Sequence, residues 1–271
     1  MIYFTYLFVL LIGFSFGSFI GALTYRVPRG ISIYSKKRSF CPDCKYSLAW
    51  YDNIPLLSYL LLGGKCRNCH KSISVREPLI ELFTGSLFVL IYTALINCSA
   101  VSSSEQICLW STALGSWVYP LFLFLGTTFM VIFVIDTEHM VIYDELVFFL
   151  FTLVAFLLIL VRPDVLFLNL FAGFIAGLLL LILNLVTRGR GMGLGDAKLA
   201  IVGGLILGWP GSVVWLFLSF IIGAIFGIFL LVTRRVTLGR QIPFGPYLVI
   251  SFFGVLIFGN IISSLIFQIP Y

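Results

Sequence analysis

Two aspartates stand at the ends of long apolar runs, where ionisable side chains are expensive and mark functional sites. Asp136 follows Val134-Ile135, and Asp196 follows the glycine-rich stretch Gly193-Leu194-Gly195. Two carboxylates that share a proton can activate water, because the ionised one accepts a proton while the protonated one polarises a carbonyl. The sequence therefore makes Asp136 and Asp196 candidate catalytic residues of a hydrolytic site.

Each aspartate taken alone also fits a structural role. Asp196 precedes a predicted helix and could cap it, and a GxGD motif is short. Lys198 and His139 are possible ion-pair partners of the two aspartates. Asp144 and Glu145 open the next apolar segment, where acidic side chains favour the positive end of the helix dipole. We expect both mainly as caps, with Asp144 a lesser candidate for the site.

Four cysteines form two CxxC pairs 21 residues apart, Cys41 with Cys44 and Cys66 with Cys69. Two thiolates three positions apart on a turn reach one ion, and two such turns complete a tetrahedral Zn²⁺ site. Four thiolates leave no open position for water, so the expected role of the zinc is structural. Disulfides and reduced thiols are the alternatives, and the adjacent His70 is a possible substitute ligand.

The elements that position these residues are apolar. Hydrophobic residues make up 61% of the chain and charged residues 10%, and the mean hydropathy is +1.11. A soluble domain carries roughly 25% charged residues, so most of this surface must face lipid. We predict an all-α polytopic membrane protein of about eight transmembrane helices, at about 2–24, 79–97, 113–135, 145–161, 165–186, 197–208, 211–233 and 247–267.

Glycines recur at four-residue spacing within these segments, which lets helix backbones approach closely in lipid. The repeats are Gly13/Gly17/Gly21, Gly173/Gly177 and Gly223/Gly227. We expect them to serve helix packing.

The basic residues fix a predicted orientation. With the N-terminus outside, sixteen of the seventeen Lys and Arg residues fall in inside loops, and Arg162 is the exception. This distribution follows the positive-inside rule, so the net charge of +6 reflects topology and we expect no nucleic-acid partner. It places both aspartates and the cysteine insert on the cytoplasmic side of the membrane. Cys98 and Cys108 fall in an outside loop of about 98–112, where a bridge and two free thiols are both compatible.

The predicted domains are a first transmembrane helix at 1–24, a zinc-binding insert at 25–78 and a transmembrane domain at 79–271 that carries both aspartates. The insert is punctuated by prolines and by Gly63-Gly64, as expected of loop-rich structure. Metal binding would supply much of its folding free energy, because 54 residues bury little apolar surface.

These motifs together resemble the type IV prepilin peptidases, also called prepilin leader peptidase/N-methyltransferases. The resemblance rests on Gly17-Ser18-Phe19 with Tyr25-Arg26-Val27-Pro28, both CxxC pairs, the stretch from Trp50 to Tyr59, Ile73 to Glu81, Asp136, and Gly193-Leu194-Gly195-Asp196 with Lys198. The chain departs from the family pattern at Tyr143, where Pro is common, and at Glu77, where Tyr is usual. Neither change removes a catalytic group.

The resemblance implies a GxGD aspartyl protease that cleaves the basic leader from type IV prepilins or pseudopilins at the cytoplasmic membrane edge. It further implies N-methylation of the new N-terminus with S-adenosylmethionine, in a bacterial inner membrane and in the service of type IV pili or type II secretion. It assigns no residues to the methyl donor, and the chain carries no Gly-rich strand-turn-helix signature for one.

Two other classes of function remain open from the residues. An ion- or proton-coupled transporter would use membrane aspartates as relays, although its polar groups would cluster at the midplane. A scaffold with a zinc insert would explain the cysteines and leave the aspartates without a role.

Overall fold

The computed structural model describes residues 2–32, 40–41, 43–98, 105–234 and 241–267. Within these ranges the protein is helical and contains no strand, only two isolated β-bridges. This confirms the predicted all-α class. The helices are α1 Ile2–Arg26, α2 Leu57–Leu61, α3 Arg76–Ile96, α4 Glu105–Leu114, α5 Val118–His139, α6 Asp144–Val161, α7 Pro163–Val186, α8 Leu194–Val232 and α9 Gly245–Phe267.

Seven helical stretches of the described chain are long and apolar enough to cross a membrane. The predicted segments at 197–208 and 211–233 both lie within the 39-residue α8. That helix is interrupted at Gly208 and Trp209, whose backbone angles are not helical. The ring of Trp215 lies directly against Gly203, although twelve residues of straight helix would separate them by about 18 Å. The chain therefore folds back at the interruption.

The first arm of α8 is short. It runs from Leu194 to the break at Gly208 and rises about 21 Å, whereas a hydrocarbon core is about 30 Å thick. A break at this depth is tolerated because neighbouring groups satisfy the freed backbone atoms. Asn169 of α7 supplies one such group, since its Nδ2 donates to the carbonyl of Leu205 at 3.1 Å.

The predicted outside loop at 98–112 is wrong in part, because the structure contains α4 there. Ile107 and Trp110 of this helix are buried, and the indole Nε1 of Trp110 donates to the carbonyl of Ile206 at 3.4 Å. The short helix therefore packs against the broken α8. Six of its ten residues are apolar, but a segment this short is not predicted as a membrane span from the sequence.

By packing, the chain divides into two compact units. The first comprises Met1–Tyr92 and Leu123–Val134, and the second comprises Thr93–Phe122 and Ile135–Tyr271. The predicted domain boundaries at residues 24 and 78 both fall inside the first unit. The division into three domains stays a prediction.

In the first unit, α1 packs closely on α3 through its glycines. A Cβ built on Gly13 would lie 2.6 Å from Cα of Gly85, and one built on Gly17 would lie 2.5 Å from Cα of Glu81. Gly21 leaves room for the carboxylate of Glu77, the residue that departs from the family pattern. Glu77 forms an ion pair with Arg76 at 2.6 Å. The predicted packing role of this glycine ridge is confirmed.

In the second unit, Gly173 of α7 packs against the first arm of α8. A Cβ on Gly173 would lie 2.5 Å from the carbonyl oxygen of Ile201, and a Cβ on Gly204 would lie 2.6 Å from Cα of Gly173. The prediction fails for Gly227, where an added Cβ would meet nothing within 4 Å. The close helix contact of this unit is therefore between α7 and the first arm of α8. This arm carries Asp196 in its first turn.

Candidate active site and metal centre

The second unit contains a cavity of about 350 Å³. It lies where the last turn of α5, the first turn of α8 and the segments leading into α6, α8 and α9 come together. Its lining includes both predicted catalytic residues. The lining residues are Asp136, Met140 to Ile142, Asp144, Gly189 to Asp196, Lys198 and Gln241 to Phe244.

Asp136 lies in the last turn of α5 and is 5% exposed. The helix ends three residues later at His139. The next residue, Met140, adopts a left-handed conformation and donates its N–H to the Asp136 carbonyl at 2.9 Å. The backbone N–H of Gly245 donates to the Asp136 side chain. Its Oδ2 is buried and has no hydrogen-bond partner among the described atoms. A buried carboxylate oxygen without a partner is costly and is available to a substrate or a water molecule.

Asp196 lies in the first turn of α8 and is also 5% exposed. Its Oδ2 accepts the backbone N–H of Gly193 at 2.9 Å, so Asp196 caps α8 from within its first turn, as the structural alternative allowed. Capping does not exclude chemistry, because a carboxylate has two oxygens and about four acceptor positions. Asp136 interacts electrostatically with Asp196. The structure thus brings the two predicted residues together.

The glycines around the site allow close contact between backbone and side chain. A Cβ on Gly245 would lie 2.5 Å from Oδ2 of Asp136 and 3.0 Å from its Cγ. A Cβ on Gly195 would lie 2.9 Å from Cβ of Ile142. The first turn of α9 and the first turn of α8 therefore reach the cavity only because these positions carry no side chain.

The turn between α7 and α8 is held by polar side chains of α7. Nδ2 of the buried Asn184 donates to the Met192 carbonyl at 2.5 Å. Oγ1 of Thr187 accepts the N–H of Gly191 at 3.2 Å. These bonds fix the chain directly before Gly193 and so set the direction in which α8 and Asp196 begin.

Lys198 and His139, the possible ion-pair partners of the two aspartates, contact other residues. The ammonium of Lys198 donates to both carboxylate oxygens of Asp144, at 2.8 and 2.7 Å. His139 lies beside Glu138, with 3.9 Å between Nε2 and Oε2. Asp144 begins α6 as predicted, and it also lines the cavity.

In the first unit, the four predicted cysteine ligands converge. Their sulfur atoms all lie within 4.8 Å of one another, with 3.9 Å between Cys41 and Cys69 and 4.0 Å between Cys44 and Cys66. A tetrahedral Zn²⁺ with Zn–S bonds of about 2.3 Å separates its sulfurs by about 3.8 Å. The four thiols therefore fit one zinc ion, and they are too far apart for disulfides.

The two CxxC turns share one backbone geometry. Cys41 donates its N–H to Tyr46 and accepts that of Lys45, and Cys66 repeats this pattern with Lys71 and His70. Lys45 and His70 both take left-handed conformations at the same position of each turn. His70 is exposed, and the group of possible ligands in the described chain consists of the four cysteines. The alternative of His70 as a ligand is therefore not supported.

The thiols differ in acidity. The backbone N–H of Tyr46 lowers the pKa of Cys44 to about 6. Cys69 also accepts a backbone hydrogen bond, from Lys71, but burial and the three neighbouring sulfurs raise its pKa to about 11. Four thiolates at this spacing repel one another, and a divalent cation would neutralise two of the four charges.

Two ion pairs stabilise the cysteine turns, one between the turns and one to a neighbouring part of the insert. Lys71 pairs with Asp43 at 2.7 Å and so joins the second turn to the first. Arg67, within the second CxxC, pairs at 2.9 Å with Asp52, whose other oxygen accepts the N–H of Ala49. Asp52 belongs to the Trp50–Tyr59 stretch that carries the family resemblance, so that stretch has a structural role beside the cysteines.

Cys98 and Cys108 form a disulfide, with 5.2 Å between their Cα atoms. This resolves the alternative that the sequence left open. The residues between 99 and 104 lie outside the described part of the chain.

Sequence reasoning did not identify Asn184 or Gly245 as site residues. Asn184 stands in an apolar helix, where an amide side chain is rare enough to be a signal. Gly245 stands in Pro243-Phe244-Gly245-Pro246, whose glycine and prolines are typical of a turn. Only the fold brings that turn against Asp136.

Comparison with known families gives two matches in chain order. The profile of the bacterial peptidase A24 N-terminal domain matches residues 11–95, and that of the type IV leader peptidase family matches residues 123–228. No solved structure matches the chain.

Curated relatives carry the name prepilin leader peptidase/N-methyltransferase. That of Pseudomonas aeruginosa is 30% identical over 96% of this chain and 92% of its own length. That of Vibrio cholerae is 32% identical over 71% of this chain and 73% of its own length. The match to the Myxococcus xanthus protein, 52% identical over 81 residues, spans 24% of that relative. With both profiles in order and similarity along nearly all of the Pseudomonas relative, this chain belongs to the family of type IV prepilin leader peptidases/N-methyltransferases.

Proposed function

We propose that this protein is a membrane aspartyl endopeptidase that removes the leader from type IV prepilins or pseudopilins. The observation that carries the proposal is the meeting of Asp136 and Asp196 in one cavity, with one carboxylate oxygen left without a partner. Family membership supplies the class of substrate. The alternative of an ion- or proton-coupled transporter is not supported by the comparisons.

Hydrolysis at such a pair proceeds by general acid–base catalysis. The ionised carboxylate removes a proton from water, which attacks the scissile carbonyl carbon, while the protonated carboxylate donates to the carbonyl oxygen. The tetrahedral intermediate then collapses as the leaving nitrogen receives a proton. The glycine at 245 lets the start of α9 pack directly against the Asp136 carboxylate, with no side chain between them.

We propose a structural zinc bound by Cys41, Cys44, Cys66 and Cys69. The matched turns and the sulfur spacing support this assignment. A closed four-thiolate site would supply folding free energy to the insert and no reactive position.

We propose that the protein is a multi-pass inner-membrane protein whose basic loops face the cytoplasm. The positive-inside distribution supports this orientation. The Cys98–Cys108 disulfide is consistent with an oxidising compartment for its loop. The scissile bond would then be cleaved at the cytoplasmic edge of the membrane, where the C-terminal end of α5 and the N-terminal end of α8 would lie.

We further propose that the protein methylates the new N-terminal amine with S-adenosylmethionine. This activity is supported by the names of the relatives. A neutral amine is the nucleophile in such a transfer, and the leader must be removed before that amine exists.

The purified protein, reconstituted in liposomes with a type IV prepilin, tests both activities by mass spectrometry. We expect loss of the leader mass, followed by gain of a methyl group when S-adenosylmethionine is supplied. An unchanged prepilin in the presence of the intact, inserted protein would refute the peptidase. Cleavage with no methyl gain would refute the methyltransferase alone.

A further inference from the structure

Lys198 and Asp144 form an ion pair on the wall of the cavity that holds Asp136 and Asp196. Lys198 donates to both oxygens of the carboxylate. The side chains stay 49% and 66% exposed. Ion pairs this exposed contribute little to folding, because water competes with them and ordering two side chains costs entropy. Stability is therefore a weak explanation for this pair.

The two partners differ in how firmly they are held. Asp144 is the first residue of α6, where the helix dipole favours a negative charge. Lys198 is the fifth residue of α8, beyond the first turn in which the helix dipole acts on charge. Its ammonium sits on a flexible four-carbon stem. Lys198 is therefore the partner that can move away, and Asp144 is the fixed one.

The charge of the cavity indicates what could replace Lys198. Three carboxylates line it, those of Asp136, Asp144 and Asp196, against the two cations of Arg190 and Lys198. A substrate anion would add a fourth negative charge and leave Asp144 unpaired. A substrate cation would exchange with Lys198 and leave every carboxylate no worse paired than before. The buried, unpartnered Oδ2 of Asp136 independently marks this cavity as a place where a ligand belongs.

We infer that Asp144 is a substrate-binding residue, which takes a Lys or Arg side chain of the substrate in exchange for Lys198. The inference rests on the proposed peptidase function and adds a determinant of specificity to it. The substrate cation would bind beside Asp136 and Asp196. Until the substrate binds, Lys198 occupies the position of that cation at Asp144. Since the exchange replaces one exposed ion pair by another, its effect on affinity is modest and depends on ionic strength.

The test combines enzyme variants with prepilins of different leader charge. One substrate keeps its leader Lys and Arg residues, and the other has them changed to Gln. With the basic leader, Asp144→Asn should raise KM about three- to fivefold and leave kcat nearly unchanged, as expected for loss of an exposed ion pair. With the neutral leader, Asp144→Asn should have almost no effect. Glu145→Gln is the matched control, since it removes an exposed carboxylate next in sequence that does not line the cavity.

The exchanged variant Asp144→Lys with Lys198→Asp separates substrate binding from structural pairing. It keeps an ion pair between α6 and α8 but inverts its direction. We expect it to cleave the basic leader poorly and to recover with a leader whose basic residues are changed to Glu. Full activity of the exchanged enzyme on the basic leader would overturn the inference, and so would equal effects of Asp144→Asn on both leaders.

Failure of the inference is distinguishable from failure of the proposed function. If the unaltered enzyme cleaves both leaders and Asp144→Asn does not discriminate between them, only the inference is wrong. If the unaltered, folded enzyme cleaves neither leader, the peptidase assignment is wrong and the inference is refuted with it.

Discussion

Asp136 and Asp196 occupy opposite kinds of helix position, one in the last turn of α5 and the other in the first turn of α8. Each is held by a backbone N–H, from Gly245 and Gly193 respectively. Backbone donors fix a carboxylate without adding a charge that would neutralise it. This arrangement fits the proposed roles of the two side chains as acid and base of a single reaction.

The first prediction follows from this division of roles. Asp136→Asn and Asp196→Asn should each reduce prepilin cleavage by about 10³-fold, because one carboxylate cannot serve as both base and acid. Each variant should still insert in the membrane, since an amide fills the same volume. Mass spectrometry of the pilin product measures the loss. Cleavage by either variant near the parent rate would remove that residue from the mechanism, and Asp144→Asn should have the smaller effect.

The second prediction concerns Gly245. An added Cβ would lie 2.5 Å from Oδ2 of Asp136, so Gly245→Ala must displace the carboxylate or the start of α9. A shift of about 1 Å in a catalytic group can cost about 100-fold in rate, and we expect a loss of that order in kcat. Gly227→Ala is the control, because its Cβ would meet nothing within 4 Å. Equal activity of the two variants would contradict the close approach.

The residues of the site were predictable only where their chemistry is local. Asp136, Asp196 and the four cysteines were predicted from residue type and spacing, and the structure brings each of the two groups together. Gly245 was not, because its role is set by contact with a residue more than a hundred positions away. The pairing of Lys198 with Asp144 instead of Asp196 depends likewise on how α6 lies against α8.

At the scale of the elements, α7 acts as the support of α8. Gly173 of α7 lets the first arm of α8 approach closely. Asn169 donates to the carbonyl of Leu205 within α8, and Asn184 donates to the carbonyl of Met192 in the turn before α8. The break in α8 was visible in the sequence as Gly208-Trp209-Pro210, and the two apolar segments flanking it were identified. The helix α4 was missed, because its burial against α8 is a tertiary effect with little local signal.

The third prediction distinguishes the two asparagines of α7. Asn184→Leu and Asn169→Leu each remove a buried amide that donates to a backbone carbonyl, so each should lower thermal stability by a similar amount. Only Asn184→Leu should also reduce kcat, because Asn184 holds the turn that leads into Asp196. KM and kcat measured for both variants test this. A parallel fall in kcat for Asn169→Leu would reduce the role of Asn184 to general stability.

The fourth prediction concerns the metal. The purified protein should contain about one zinc per chain, measured by elemental analysis. Cys66→Ser should lower that content, and removal of the metal by a chelator should make the insert sensitive to protease, because the four thiolates would lose the cation that holds them together. Cys108→Ser is the control, since its sulfur belongs to the disulfide and not to the cluster. Protein free of metal as isolated would reject the site.

At the scale of the whole molecule, the candidate metal ligands and the candidate catalytic aspartates belong to different compact units. The cysteine cluster lies in the first unit and both aspartates lie in the second. Composition and loop charges were sufficient to predict a polytopic membrane protein with one polar insert. They were not sufficient to predict the division into units, because part of α5 belongs to the first unit and its ends to the second.

The last prediction is that the two proposed reactions are separable. Methyl transfer requires a neutral amine and a positioned methyl donor, and it does not require an aspartyl dyad. An enzyme with Asp196→Asn should therefore still methylate a pilin supplied with its leader already removed. Cys41→Ser together with Cys44→Ser should impair methylation more than cleavage, if the first unit contributes to methyl transfer.

The decisive measurement is methyl incorporation by the Asp196→Asn enzyme, with circular dichroism and binding of S-adenosylmethionine as controls for folding. Methylation near the parent rate would support distinct groups for the two reactions. A folded Asp196→Asn enzyme that binds the methyl donor but cannot methylate pre-cleaved pilin would mean that both reactions depend on the cavity of the second unit. In that case the dyad would have to position the new amine as well as cleave the bond, and the assignment of methylation to other groups would be wrong.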